Sequence, residues 1–278
     1  MLAATHLMEI VSRKFKTIEE IEVDDVLYKY RNFENENHIR ILTDLEIFFA
    51  APTSFEDKLD CKIPIRYELL TNQQIFEKYL SDSYERNPKF TRRQHREWAR
   101  DWAQKSPLKN KARLLKYRDD EFNEYDKRLG ILSLTANNSS LEMWNKYSAD
   151  QTGFCVGFHT KKLFKFLGGG GPVQYVDELP TIKPRPWHSF DQQRYLREFS
   201  KLKCWEFEEE YRTMIFGKDG LDVNSRKRKL TTDVYKEIIL GDKISDENKT
   251  KIETIIKDIL PNVPIKRQKV NNNKIVIE

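Results

Sequence analysis

The feature that most constrains this chain is an ordered series of short β-type runs, interrupted once by a long charged helical stretch. Residues 26–30, 46–50, 130–134, 153–158, 173–176, 210–216 and 234–240 are rich in Val, Ile, Phe and Tyr and are bounded by turn-forming residues. A terminal hairpin is expected over 265–277. Between the runs lie helical patterns: one through Ile39, Leu42 and Leu45 with Asn37 as N-cap, and one through Trp144 and Tyr147 after Ser139 or Ser140. Others cover 161–166, 192–199 and 246–260, and a short helix is expected in the lead-in before residue 22. Residues 168–171 are four glycines without the Lys-Ser/Thr of a phosphate loop, so they read as a connector. From about 62 to 128 the pattern is mainly helical, broken at Pro88 and at Ser106-Pro107. Neither repeats nor a long linker divide the chain. The expectation is a single α+β domain over 1–278 with a basic helical insertion at about 62–128.

Aromatic residues make up 12% of the chain, which argues against disorder and for a core rich in Phe, Tyr and Trp. No run approaches the roughly 20 apolar residues of a membrane-spanning helix, and the first residues lack a basic flank followed by an apolar run. Cys61, Cys155 and Cys204 are odd in number and far apart, as reduced thiols would be. A cytoplasmic protein is expected. His6, His38, His95, His159 and His188 have no metal-ligand spacing, so no metal is expected.

A net charge of +5 hides a local imbalance. Between Arg86 and Arg118 only Glu97 and Asp101 oppose a dense set of lysines and arginines. Arg92, Arg93, Arg96 and Arg100 are candidate phosphate contacts, and Trp98 or Trp102 could stack on exposed bases. Trp98 and Trp102 are also four apart, the spacing of a buried helix face. The basic residues 226–229 extend the same expectation of a nucleic-acid or protein partner.

The second concentration of charge is Trp205-Glu206-Phe207-Glu208-Glu209-Glu210-Tyr211-Arg212. On a strand, Glu208 and Glu210 would share one face. The plainer reading is an acidic strand start that pairs with Arg212 or a nearby lysine. In the first run Tyr28 and Tyr30 share one face and Lys29 and Arg31 the other. Ser133 and Thr135 offer hydroxyls from one face, and Tyr147 lies three residues from Trp144 on a helix. Asp57 with Asp60-Cys61-Lys62 loosely follows the carboxylate pattern of metal-dependent nucleases.

Five ordered blocks carry a resemblance. They are Leu27-Tyr28-Lys29-Tyr30-Arg31; Ile47-Phe48-Phe49-Ala50-Ala51-Pro52-Thr53-Ser54-Phe55-Glu56-Asp57; and Leu132-Ser133-Leu134-Thr135 with Met143-Trp144-Asn145-Lys146-Tyr147 and Gly153-Phe154-Cys155-Val156-Gly157-Phe158. Lys203, Trp205, Glu208, Glu210, Tyr211 and Arg212 follow, then Glu237-Ile238-Ile239-Leu240-Gly241. Together they resemble a prokaryotic domain-of-unknown-function family, number 2971, from about residue 26 to the end apart from the insertion. The chain departs from that pattern at Glu56-Asp57-Lys58, where members read Asn-Asp-Pro, and at Leu134-Thr135, where they often read Ser-Glu.

More loosely, the order of elements resembles the ADP-ribosyltransferase fold, a mixed or antiparallel sheet core whose members cleave NAD. That resemblance implies that Glu210 is catalytic and Glu208 assists by positioning the acceptor. It implies that Tyr30, Arg31, Ser133 and Tyr147 bind NAD, and that ADP-ribose passes to a macromolecule. A toxin or phage-defence setting with a regulatory partner is implied by the same analogy. The alternative from another class is a non-catalytic nucleic-acid- or partner-binding module.

Overall fold

A computed structural model describes residues 17–271 and 274–278; most of the expected lead-in helix lies outside them. The strands in chain order are β1 (Val26–Arg31), β2 (Glu46–Phe48), β3 (Leu129–Thr135), β4 (Phe154–His159), β5 (Gly171–Pro172) and β6 (Gln174–Val176). They continue as β7 (Ser200–Leu202), β8 (Glu210–Phe216), β9 (Lys227–Lys229), β10 (Tyr235–Leu240), β11 (Ile265–Asn271) and β12 (Lys274–Ile277). The chain forms two compact units, one from 17–54, Arg128–Tyr175 and Lys201–Glu278, the other from Phe55–Lys127 and Val176–Ser200.

The first unit is built on an eight-stranded sheet ordered β12-β11-β10-β4-β1-β3-β8-β5. Its pairings are antiparallel except for β10 with β11, which makes the architecture α+β with a mixed sheet. Alternation sends Leu27, Leu132, Leu134, Val156, Phe158 and Ile238 into one buried cluster with Ile41, Leu42, Leu163, Phe164, Ile252 and Ile256. Those partners come from the helices Glu36–Thr43, Thr160–Leu167 and Asp246–Ile259. Tyr28, Tyr30, Cys155 and Ile239 take the opposite parity and pack on Met143 and Trp144 of the helix Leu141–Tyr147.

Local chemistry sets most boundaries. Ser140 caps Leu141–Tyr147 by accepting from the Met143 N–H. Asn35, rather than the expected Asn37, caps Glu36–Thr43, because its side chain accepts from the Asn37 N–H. Residues 226–229, expected as a basic loop, instead give β9, which pairs with β2. Arg226 is buried and donates from Nη1 to the carbonyls of Leu129 at 2.7 Å and Phe49 at 3.3 Å, so it adds nothing to a cationic surface. Gly170 allows a close approach: a Cβ there would stand 2.5 Å from the Phe164 ring and 2.8 Å from the Arg212 carbonyl.

The second unit is helical, with Asn72–Arg86, Arg92–Gln104, Lys111–Arg128 (which runs one residue past the unit) and Phe190–Glu198. Ile63, Ile65, Tyr67, Leu114, Ile182 and Leu196 form one cluster, and Ile75, Tyr79 and Ala99 another. Thr71 and Thr91 each close a capping box, with Gln74 and Gln94. Cys61, Cys155 and Cys204 are all free thiols. Among the described residues no helix is long and apolar enough to cross a membrane.

Candidate functional site

The acidic stretch folds differently from a plain strand. Lys203–Glu208 is a 3₁₀ turn, Glu209 is left-handed at φ 41°, and the strand begins at Glu210. Glu208 and Glu210 therefore do not meet by strand alternation. The left-handed residue reverses the chain, and both carboxylates converge on one ammonium, that of Lys201 in β7. Glu208, Glu210 and Lys201 are all buried, at 6%, 4% and 6% exposure.

Lys201 Nζ donates to Glu208 Oε2 and, at 3.0 Å, to Glu210 Oε2. Arg212, two residues along β8 and fully buried, grips Glu210 with both arms of its fork, Nε to Oε1 at 2.7 Å and Nη2 to Oε2 at 2.9 Å. Tyr147 donates its hydroxyl to Glu208 Oε1. The Glu210 N–H donates to Tyr175 Oη at 2.8 Å, and the Ser133 hydroxyl also bonds the Glu210 side chain. Glu209 points away and accepts from Asn137 Nδ2 at 2.7 Å.

Burial alone would raise the Glu210 pKa. Arg212, then Lys201, and the hydrogen bonds from Arg212 and Ser133 outweigh it and hold the carboxyl at about 2. The group is thus ionised throughout the physiological range.

Lys29 completes the cluster from β1. This strand shares a single register pair with β3, Tyr28 with Thr135, so the Ser133 carbonyl needs another donor. Lys29 Nζ supplies it at 2.5 Å. Burial, then the charge of Arg31, pulls the Lys29 ammonium down to about 7, against the opposing pull of Glu210 and Glu208. Burial also lowers Arg31, to about 10, and among the described residues its buried Nε has no hydrogen-bond partner. His38 is held down to about 4 by burial and by the charges of Arg31 and Lys29. Lys201 and Arg212 thus contact the two buried carboxylates, and Lys29 feels their charge from β1. Beside them Trp205 takes the Lys146 ammonium over its ring at 4.1 Å and that of Lys201 at 5.0 Å.

Of the residues singled out in the sequence, Glu208, Glu210, Ser133 and Tyr147 come together here, with Arg31 beside Lys29. Tyr30 does not join them. It is buried against Trp144, ring centroids 5.0 Å apart, and donates its hydroxyl to the Asn137 carbonyl at 2.8 Å. Tyr28 is engaged with Glu237 at 2.9 Å, and the Thr135 hydroxyl accepts the Asn137 N–H at 3.0 Å. Arg92, Arg93, Arg96 and Arg100 lie exposed in the helical unit, where Arg93 pairs with Glu97 at 2.8 Å. Asp57 and Asp60 make local bonds, to the Leu59 N–H and from the Cys61 thiol. Among the described residues no three His, Cys, Asp or Glu side chains are grouped to hold a metal ion.

Sequence reasoning missed Lys201 and Tyr175 altogether. The one signal was a lysine in the short run Ser200-Lys201-Leu202, seven residues before Glu208. Compared with family models, curated proteins and solved structures, the chain matches none.

Proposed function

We propose that the protein is an NAD-consuming enzyme of the ADP-ribosyltransferase type, cleaving the nicotinamide–ribose bond and passing ADP-ribose to a macromolecule. The observation that carries this reading is the Glu210 carboxylate, buried, oriented from two sides and held ionised at about 2. Loss of nicotinamide builds positive charge on the ribose, as in glycoside cleavage. A fixed, permanently ionised carboxylate in a dry site stabilises that charge without reorganising.

The other residues support the same chemistry. The unsatisfied Arg31 Nε and the Lys29 ammonium suit a diphosphate. Trp205 and Tyr147 already hold the Lys146 ammonium over their rings, and the cationic nicotinamide would take its place there. Glu208, paired with Lys201, is the assisting carboxylate. An ADP-ribosyltransferase-like arrangement of the mixed sheet, membership of the family named above and a toxin or defence role belong to this proposal.

One observation favours a second reading. Lys201 and Arg212 already satisfy both carboxylates, which is how a purely structural ion cluster is built. Purified protein incubated with labelled NAD and mixed protein, RNA and DNA separates the two. The enzyme reading expects NAD loss and label transfer, with a drop of about 10²–10³ in turnover for Glu210→Gln. Intact NAD beside a folded, active-concentration sample leaves only the structural cluster.

A further inference from the structure

The helical unit contains a cavity of about 190 Å³ whose lining shares no residue with the carboxylate cluster. Its walls are Tyr67, Tyr79, Tyr117, Leu108 and Leu114, and Arg113 stands among them. Tyr67 and Tyr79 are each 8% exposed while Tyr117 is 50% exposed, so aromatic surface runs from the interior to solvent. Tyr117 meets Tyr67 edge-on with centroids 5.7 Å apart. Tyr79 stacks on Trp102 at 6.1 Å, and that indole is itself 45% exposed.

The charges around the cavity are unequal in their commitments. Lys78, also in the lining, is paired with Asp82 at 2.6 Å, and Arg118 with Glu68. Arg113, Lys109 and Lys116 are exposed, and among the described residues they have no acidic partner. Lys116 lies one helical turn from Arg113 on the side that also carries Tyr117.

Size narrows the ligand. The volume lies below the roughly 300–1,000 Å³ of sites that enclose a drug-sized molecule, so the cavity takes one ring system. Tyrosine faces suit a planar base, and an unpaired guanidinium at the wall suits the phosphate attached to it. An acidic peptide would satisfy Arg113 but leave the rings unused.

We propose that this cavity is a nucleotide-binding site, with the base against Tyr117 and Tyr67 and the phosphate on Arg113. The ligand is a free mononucleotide or one nucleotide of a single strand. The proposal is independent of NAD cleavage, because it shares no residue with that reading. Nor does it depend on Arg92, Arg96 and Arg100. These repeat every four residues along their helix, on a different side from Trp102.

The test uses the full chain, with AMP and UMP by calorimetry and short labelled single-stranded RNA and DNA by anisotropy. Binding by mononucleotides alone makes the ligand free nucleotide, and binding by oligomers alone makes it a strand; either outcome supports the site. Tyr117→Ala and Arg113→Ala should each weaken binding about tenfold. Tyr117→Phe should retain it, and Arg92→Ala with Arg96→Ala should have the smaller effect. Thermal melts check that the alanine variants fold, as both side chains are exposed. Absence of saturable binding, binding indifferent to both alanine variants, or equal competition by polyglutamate overturns the proposal.

Discussion

The Lys201 ammonium bridges Glu208 and Glu210, reaching Oε2 of each, at 3.0 Å for Glu210. Two buried carboxylates this close would repel if nothing stood between them. Lys201→Met removes the bridge and leaves Glu208, among the described residues, with no cation in contact. A loss of about 3–5 kcal/mol is expected for breaking such a buried pair. Urea unfolding at pH 7 measures it, and an unshifted midpoint would mean that the bridge contributes nothing.

The stability contributed by Glu210 should depend on pH in a definite window. Its folded pKa of about 2 lies below the ordinary 4.5. The unfolded chain therefore binds the proton first, and the contribution is fully present above about 4.5 and is lost as pH falls toward 2. Its size is on the order of 3 kcal/mol. Between wild type and Glu210→Gln, unfolded with urea from pH 7 down to pH 3, the stability gap should narrow at the acid end. A constant gap between them would contradict an ionised Glu210.

Lys29 should titrate the other way. Its folded pKa of about 7 lies below the ordinary 10.5, so between those values the unfolded state holds more protons and stability rises with pH. Relative to Lys29→Met, wild type should gain stability from pH 7 to pH 10. Site-resolved labelling with an amine-reactive reagent should show Lys29 reacting with a midpoint near 7. A midpoint above 10 would contradict the lowered Lys29 pKa.

Gly170→Ala should destabilise the sheet unit while Gly171→Ala should not. The added methyl at Gly170 meets the Phe164 ring and the Arg212 carbonyl, whereas at Gly171 nothing lies within 4 Å. Overpacking of this kind costs about 1–3 kcal/mol. Because the carbonyl belongs to Arg212, any activity of the carboxylate site should fall with it. Equal melting temperatures for the two variants would refute the close approach.

Much of the sheet was legible in the sequence. Val26–Arg31, Leu129–Thr135, Phe154–His159, Glu210–Phe216 and Tyr235–Leu240 fall within a residue of their expected bounds. Buried runs of β-branched and aromatic residues have few alternative fates; Ser140 begins a helix by local hydrogen bonding, and Gly168 ends one by backbone freedom. The β9 strand was not legible, because Lys227-Arg228-Lys229 carries no apolar alternation and exists only through its pairing with β2. Tyr30 carried no mark to separate a ligand-facing aromatic from a core one; its packing on Trp144 decided that.

The acidic stretch shows where the division lies. By itself the sequence placed Glu210 at the start of a late strand, since the residues from Glu210 to Phe216 alternate, but it also put Glu208 on that strand, whereas Glu208 ends a 3₁₀ turn before it. Only the tertiary structure decided how they meet, on one ammonium rather than across a strand face. A left-handed Glu209 turned the chain, β7 brought Lys201 alongside, and the parting of β1 from β3 drew in Lys29. Local pattern fixes which way a backbone runs, but the partner of a buried charge is set by the desolvation it must offset, and that exists only once the chain has folded.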